Sequence, residues 1–347
     1  MKKQHRNIPI FVPHLGCPNT CVFCNQRKIS GCRSADFSSV EAEIDEALAT
    51  VPDGVDVQIA FFGGSFTGID RGDMLYLLKT AKKYIDEGRV DSIRLSTRPD
   101  YIDREILDIL KSHGVRSIEL GIQSMDDGVL LKSGRGHTAA QTEKACSLIC
   151  EYGFELVGQM MTGLPGSDLQ KDIYTAKRIC EMGAQGARIY PTVVFRGTEL
   201  EAMMDRGEYA CREMEKVISE GAEVLRVFEE NSVKVIRVGL QSTELLTEGS
   251  EISSPYHEAT GELIWSRFYR NMAENALEGT DTDGKRAVIS VPKGSVSKMI
   301  GQKKANEKYL REKFSLCEIK VIENEQLKEE IKLTLEERKK NYAIEIS

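Results

Sequence analysis

No run in this 347-residue chain approaches the ~18 uninterrupted apolar residues of a membrane-spanning helix, and the opening MKKQHRNIPIFVPH has no apolar stretch of secretory length. Those absences argue against a spanning helix and a secretory leader, and lead to the expectation of a soluble, cytoplasmic protein. Cysteines are not scarce, but a paired framework is missing. The nine (17, 21, 24, 32, 146, 150, 180, 211 and 317) form an odd set, scattered after the first cluster, unlike the staples of a small secreted domain. Excess positive charge is missing too. A net charge of −7 excludes a surface that is basic everywhere and leaves room for a local basic patch. What is present is ample core material, 41% hydrophobic residues, enough for one large barrel or sandwich with an appendage.

That material is arranged regularly. Apolar, β-rich runs recur at IPIFVPH (8–14), VDVQIAFFGG (55–64), SIRLSTRP (92–99), SIELGIQS (117–124), ELVGQMMTGLPG (155–166) and ARIYPTVVF (187–195). Helix-like segments lie between them, with glycines 88, 114, 153 and 183 where helix C-caps would fall. Six βα repeats whose strands read as apolar on both faces predict a parallel sheet closed into a partial (βα)6 TIM-like barrel; a doubly wound open sheet is the alternative. Polar and Gly-rich strings sit at the C-terminal end of each predicted strand: CPNTCVFC, GGSFTG, STRPD, QSMDD, TGLPGSD and YPTVV. In a βα barrel those ends share one rim, so the strings converge on one active-site face.

The first string carries three cysteines within eight residues. A structural zinc site wants four ligands, usually as two close pairs, and only Cys32 follows nearby. Three thiolates from one tight loop suit three irons of a 4Fe–4S cluster, leaving one iron open to a ligand that is not protein.

C-x-x-x-C-x-x-C after the first strand, with Phe23 before the last cysteine, together with Gly63-Gly64-Ser65-Phe66 after the second, resembles the radical S-adenosylmethionine superfamily. The resemblance implies that Cys17, Cys21 and Cys24 hold the cluster and that the cofactor's amino and carboxylate groups chelate its fourth iron. One electron then cleaves the sulfonium, and the resulting 5'-deoxyadenosyl radical abstracts hydrogen from a substrate. It further implies cofactor contacts from Phe23, Gly63, Gly64, Ser65, Phe66, Ser96, Thr97, Gln123 and Met161. Glycine at 63 and 64 would let backbone approach the methionine moiety closely.

Within that superfamily, residues 60–240 resemble the Elongator catalytic subunit family through FFGGSFTG, STRPDYID, IELGIQSMDD, SGRGHT, GQMMTGLPG, RIYPTVVFRGTELEAMMDRGEY and VIRVGLQST. This implies modification of the wobble uridine of tRNA. Two departures stand out. The gap between the first two cysteines is three residues, whereas that family's is wider. No R-x-x-G-x-G/A loop for a coenzyme A pyrophosphate follows Leu240, so acetyl transfer by this polypeptide is not expected: either a separate acetyltransferase supplies it, the substrate differs, or the chain does other radical chemistry. A low-potential donor such as ferredoxin or flavodoxin is also implied.

Other residues carry plainer readings. Arg188 and Tyr190 alternate with Ile189 and could face either the barrel interior or the helices. His137, beside Arg135 in SGRGHT, reads first as a solvated loop histidine, and the family match of that string leaves it a candidate contact to substrate or phosphate. Cys146 and Cys150 share a helix face and read as packing. Residues 241–284 hold the chain's one Trp, at 265, in a helix expected to cover the barrel, with His257 near its start.

From Gly284 to Lys313 nine basic residues stand against two acidic, a local nucleic-acid footprint in an acidic chain. The order strand, helix, Gly301-Gln302-Lys303-Lys304, helix, strand resembles a KH fold, whose G-x-x-G loop clamps an RNA backbone, although Lys304 stands where the second glycine belongs. Lys298, Lys303 and Lys304 are the candidate RNA contacts. The expected organisation is a radical-type barrel over 1–240, a covering segment over 241–284 and a small basic α/β lobe over 285–347. The leading expectation is a radical enzyme acting on tRNA. Radical oxidation or alkylation of a small molecule, as in the coproporphyrinogen-oxidase branch, and an RNA-binding iron–sulfur protein without catalysis are the alternatives.

Overall fold

The computed structural model describes residues 5–12, 17, 21–24, 37–240, 252–328 and 330–337; Cys32, residues 241–243 of the VIRVGLQST string and the last ten residues lie outside them. Strand and helix alternate: β1 (His5–Val12), α1 (Val40–Leu48), β2 (Asp56–Gly63), α2 (Arg71–Asp86), β3 (Ser92–Thr97), α3 (Arg104–Ser112), β4 (Val115–Gln123), α4 (Asp127–Lys132), α5 (Ala139–Glu151), β5 (Glu155–Thr162), α6 (Leu169–Glu181), β6 (Gly186–Pro191), α7 (Glu199–Asp205), α8 (Met214–Glu230) and β7 (Lys234–Val238). All seven strands are parallel and lie in sequence order, the curled partial barrel anticipated from the repeats. The sequence reading had six strands; KVIRV adds a seventh beside β6.

Local chemistry sets the helix boundaries. Asp70, Asp103, Asp168 and the Thr138–Gln141 capping box accept or exchange hydrogen bonds with the first-turn amides of α2, α3, α6 and α5. Glycines 88, 114, 153 and 183 fall two residues past the ends of α2, α3, α5 and α6 in the left-handed region, as their spacing foretold.

The expectation of strands apolar on both faces fails on the inner side. On β4, Ile118, Leu120 and Ile122 point outward to the helices and are wholly buried, while Glu119, Gly121 and Gln123 occupy the alternate positions that line a cavity. The outward row is a conventional core, each Ile or Leu contributing about 2 kcal/mol by its burial. On β3, β4 and β6 the inward row is largely polar because it borders a chamber instead of packed side-chain layers, while on β2 and β5 it mixes Gln58 and Gln159 with Ala60, Phe62, Val157 and Met161.

Helix α9 (Thr260–Leu277) packs against α8, where Ile264 fills the space over Gly221: a methyl there would meet Ile264 Cδ1 at 2.7 Å. The same helix touches both helices of the lobe, so the core runs from the barrel into β8 (Arg286–Val291), α10 (Val296–Ile300), α11 (Ala305–Lys313), β9 (Glu318–Glu323) and β10 (Lys332–Glu336). The lobe sheet has the order β10-β8-β9, with β8 and β9 parallel and β10 antiparallel. Among the described residues no helix is long and apolar enough to cross a membrane.

Candidate active site

The C-terminal strand ends open into a cavity of about 900 Å³. Cys17, Cys21, Cys24 and Phe23 line it, with Gly63, Gly64 and Ser65 from the end of β2, Ser96 and Thr97 from β3, and Gln123 from β4. Most of the residues singled out from the sequence therefore share one wall. Phe66 and Met161 do not line it. Phe66 is buried behind the loop, stacked on Phe61 with ring centroids 4.6 Å apart. Met161 is half-buried on β5, two residues beyond cavity-lining Gln159.

The cysteine segment is held by backbone. Cys24 N donates to Cys21 O, Val22 N to Ser133 O, and Leu200 N to Val22 O. Burial pushes the Cys17 thiol up, opposed by the Ser65 backbone amide and by the charges of Arg98 and Arg135. Among the described residues no three His, Cys, Asp or Glu side chains converge on a single-ion site. One tetrahedral zinc would need its sulfurs about 3.8 Å apart, given Zn–S bonds of about 2.3 Å. Cys17, Cys21 and Cys24 face one cavity from a single segment, and three such thiolates are the number that a 4Fe–4S cluster with one open iron takes.

Gly63 has a packing reason of its own. Its φ is +114°, and a Cβ there would lie 2.6 Å from the Val12 carbonyl oxygen, so β1 already demands glycine at this position. Gly64 N donates to that same oxygen at 2.8 Å. Beside it, Ser65 Oγ and Thr67 Oγ1 each meet Thr97 Oγ1, tying the β2 and β3 rims together. Gln123 sits at φ +65°, a left-handed conformation rare for a non-glycine, and its Oε1 is buried without a hydrogen-bond partner.

Two arginines complete this wall. Arg98 grips Asp100 in a fork, both contacts 2.9 Å, donates to the Arg135 carbonyl, and keeps a buried Nη1 without a partner. Arg135 donates to Gly121 O at 2.6 Å and to Cys21 Sγ at 3.4 Å. His137, expected in solvent, is 4% exposed, and burial first and Arg135 second hold its pKa down to about 4, so the ring is neutral. The reason is that Gly134 and Gly136 both adopt positive φ and fold SGRGHT back into the mouth. Those flanking glycines were the sequence signal for Arg135, which was passed over. His257 stays exposed, and its Nδ1 accepts from the Ala259 amide near the start of α9.

Deeper in the chamber, Arg188 and Tyr190 face inward with Gln159, Glu119 and Arg237, which resolves the direction of β6. Arg188 Nε lies 2.7 Å from Glu119 Oε2, and burial pushes that carboxyl up against the pull of Arg188 and Arg94. A glutamate inside an otherwise apolar strand, IELGI, was the overlooked signal. In the lobe, Lys298 is half-buried with its ammonium 4.3 Å over the Trp265 ring, whereas Lys303 and Lys304 are exposed. Among the described residues the remaining thiols do not line the cavity: burial lifts Cys146 to about 12 and Cys180 to about 11.

Comparison with known proteins agrees with this geometry. Residues 11–179 match the Radical SAM superfamily model and residues 184–270 the Radical_SAM C-terminal domain model. The chain is 38% identical over 136 residues to a tRNA uridine(34) acetyltransferase of Methanocaldococcus jannaschii, covering 38% of this chain and 25% of that one. It is 26% identical over 250 residues to Elongator complex protein 3 of Saccharomyces cerevisiae, covering 60% and 44%. The chain thus spans between a quarter and half the length of these two relatives. The solved structure of Elp3 from Methanocaldococcus infernus superposes with a TM-score of 0.61 at 21% identity, over 79% of this chain and 64% of that one, and so shares its fold. The chain belongs to the radical S-adenosylmethionine superfamily and is an enzyme whose cofactors are a 4Fe–4S cluster and S-adenosylmethionine.

Proposed function

We propose that this enzyme modifies a base of tRNA, of the wobble-uridine class. Cys17, Cys21 and Cys24 hold the cluster; Phe23, Gly63, Gly64, Ser65, Ser96, Thr97 and Gln123 seat S-adenosylmethionine; and the Gly301–Lys304 loop of a KH-like lobe docks RNA. The observation that carries the reading is the convergence of three thiols and two anchored arginines on one cavity at the strand ends. Support for tRNA comes from the relatives, one named for tRNA uridine 34 and others for the Elongator complex.

The side chains fit the absent groups. The three thiols line one cavity, and the unpartnered Arg98 Nη1 and Gln123 Oε1 offer a buried donor and acceptor that a polar cofactor would satisfy. When bound, the cluster and S-adenosylmethionine supply a radical able to abstract hydrogen from an unactivated carbon. The chain's part is to hold and orient. Arg135, clamped to Gly121 O, keeps a positive charge beside Cys21; Thr97 and Ser65 fix the rim; Phe66 braces the loop from behind by stacking on Phe61.

In the lobe, Lys303 (φ +51°, ψ +29°) and Lys304 (φ +60°, ψ +32°) are both left-handed, each at a cost of roughly 1–2 kcal/mol. Asn306 holds the turn by donating to Ser266 O at 2.8 Å and Met299 O at 3.1 Å. The lysines are thereby presented outward, as contacts to an RNA backbone require. A low-potential ferredoxin or flavodoxin supplies the electron, and any acetyl group comes from a separate acetyltransferase.

The test is anaerobic. The reconstituted protein, reduced with dithionite and given S-adenosylmethionine, is assayed for 5'-deoxyadenosine with and without total tRNA. Formation stimulated by tRNA is expected. An assembled cluster that yields none under either condition overturns the catalytic assignment, and formation indifferent to tRNA overturns the substrate class.

A further inference from the structure

The inner wall formed by β6 and β7 carries a charge surplus that the cysteine rim does not use. Five charged side chains other than cysteine line the cavity: Arg98, Arg135, Arg188, Arg237 and Glu119. Arg98 is paired with Asp100, and Arg135 is committed to Gly121 O and Cys21 Sγ. Arg188 is ion-paired with Glu119, Nε to Oε2 at 2.7 Å, which leaves its two terminal nitrogens, one of them beside the Tyr190 hydroxyl, toward the cavity. Arg237 has neither an ion pair nor a hydrogen bond among the described residues.

Register makes the surplus local. Arg188 on β6 pairs in register with Arg237 on β7, and both reach the same cavity, so two guanidinium side chains stand on adjacent strands, while the one carboxylate lining the cavity, Glu119, comes from β4 and meets Arg188. Like charges in that relation repel, and a partly desolvated arginine that meets no counter-charge among the described residues is costly unless something else supplies one. Tyr190, two residues past Arg188, adds a hydroxyl 3.4 Å from Arg188 Nη1; burial pushes its phenol up, so it remains a donor at neutral pH. Two guanidiniums and a phenol form a donor set matched to a planar or tetrahedral oxyanion.

We propose that Arg188, Arg237 and the Tyr190 hydroxyl bind an anionic group of the substrate, a carboxylate or a phosphate, on the β6–β7 wall of the barrel chamber. The inference deepens the functional reading and rests on it in one respect, that this chamber is where substrate is held. It names what the substrate must bring: a negative charge carried inside the barrel, apart from any backbone charge that the lobe would meet.

Thermal unfolding of the reconstituted full chain, titrated with sodium acetate or with inorganic phosphate against sodium chloride at matched ionic strength, tests the site. A saturable rise in Tm beyond chloride is expected, with acetate if the group is a carboxylate and with phosphate if it is a phosphate. Arg237→Gln, which breaks no hydrogen bond or ion pair among the described residues, should weaken that response by about tenfold or more, the loss of one charge-assisted contact. Arg188→Lys keeps a charge opposite Glu119 and should weaken it less. No saturable response in the wild type, or an equal response in Arg237→Gln as general salt exclusion would give, overturns the proposal. So does an Arg237→Gln protein whose S-adenosylmethionine affinity falls while its anion response persists, because the arginine would then serve the cofactor. Cofactor cleavage without an anion response sinks this site alone; an anion response without cleavage sinks the radical reading alone.

Discussion

The barrel mouth and the lobe loop both present arginine or lysine to a ligand, and they do so under opposite physical conditions. In the mouth, Arg98 and Arg135 are 3% and 6% exposed and locked by Asp100, Gly121 and one another. In the loop, Lys303 and Lys304 are exposed, and Lys304 reaches only Glu307, at 3.8 Å. Buried charge is worth much per contact and must be pre-organised; exposed charge is screened, cheap to hold, and tolerant of where a polyanion lies. Chemistry at one atom needs the first arrangement. Docking a long, flexible polyanion needs only the second.

That contrast can be broken in the mouth with the largest effects. Cys21→Ala should reduce cluster iron and 5'-deoxyadenosine formation to background, read by iron analysis and chromatography; activity that survives would remove the cysteine loop from the mechanism. Arg98→Ala leaves Asp100 and the Arg135 carbonyl without their donor, and denaturant unfolding should show a loss of about 3–5 kcal/mol. An effect near zero would mean that the mouth's charges are as loosely held as the loop's.

His137 sharpens the same point through pH. Its folded pKa, about 4, lies below the usual 6.5, so between those values the unfolded chain binds the extra proton and stability falls as pH drops. The whole stretch amounts to about 3 kcal/mol at most. His137→Gln should flatten the stability profile between pH 6.5 and 4, and an unchanged slope would assign the acid sensitivity elsewhere.

On the loop the effects are smaller and depend on salt. Replacing Lys303 and Lys304 together with Ala should lower the slope of log affinity for tRNA against log salt by about 2, measured by filter binding. An unchanged slope would send the RNA to another surface. Smallest of all, Lys304→Gly should relieve the left-handed strain and raise stability by about 1 kcal/mol or less, with the thermal midpoint as the readout.

Much of this was legible along the chain. Helix starts at Asp70, Asp103, Thr138 and Asp168 and stops at the four glycines are local events, set by hydrogen bonds within a few residues. The order of strands and the placing of motifs at their C-terminal ends followed from the repeat, and five of the six strings reach one cavity, TGLPGSD after β5 contributing no lining residue. What misled was hydrophobicity averaged over strands. Glu119, Arg188 and Arg237 are single polar residues in apolar runs, and a run-level reading hides the inner face they define. His137 failed for a related reason, because a loop histidine reads as solvated until the chain on either side is seen to turn inward.

By itself, then, the amino-acid order determined the βα rhythm, the cysteine spacing and the basic segment of the lobe, all of which depend on near neighbours. Tertiary structure alone decided that Arg135 reaches Cys21 across 114 residues, that β6 turns Arg188 inward onto Glu119, and that Lys298 is spent on Trp265 while Lys303 and Lys304 remain outside. Those outcomes hang on how distant segments are brought together, and for Arg188 on strand register, since a shift of one residue in β6 would move it to the opposite face.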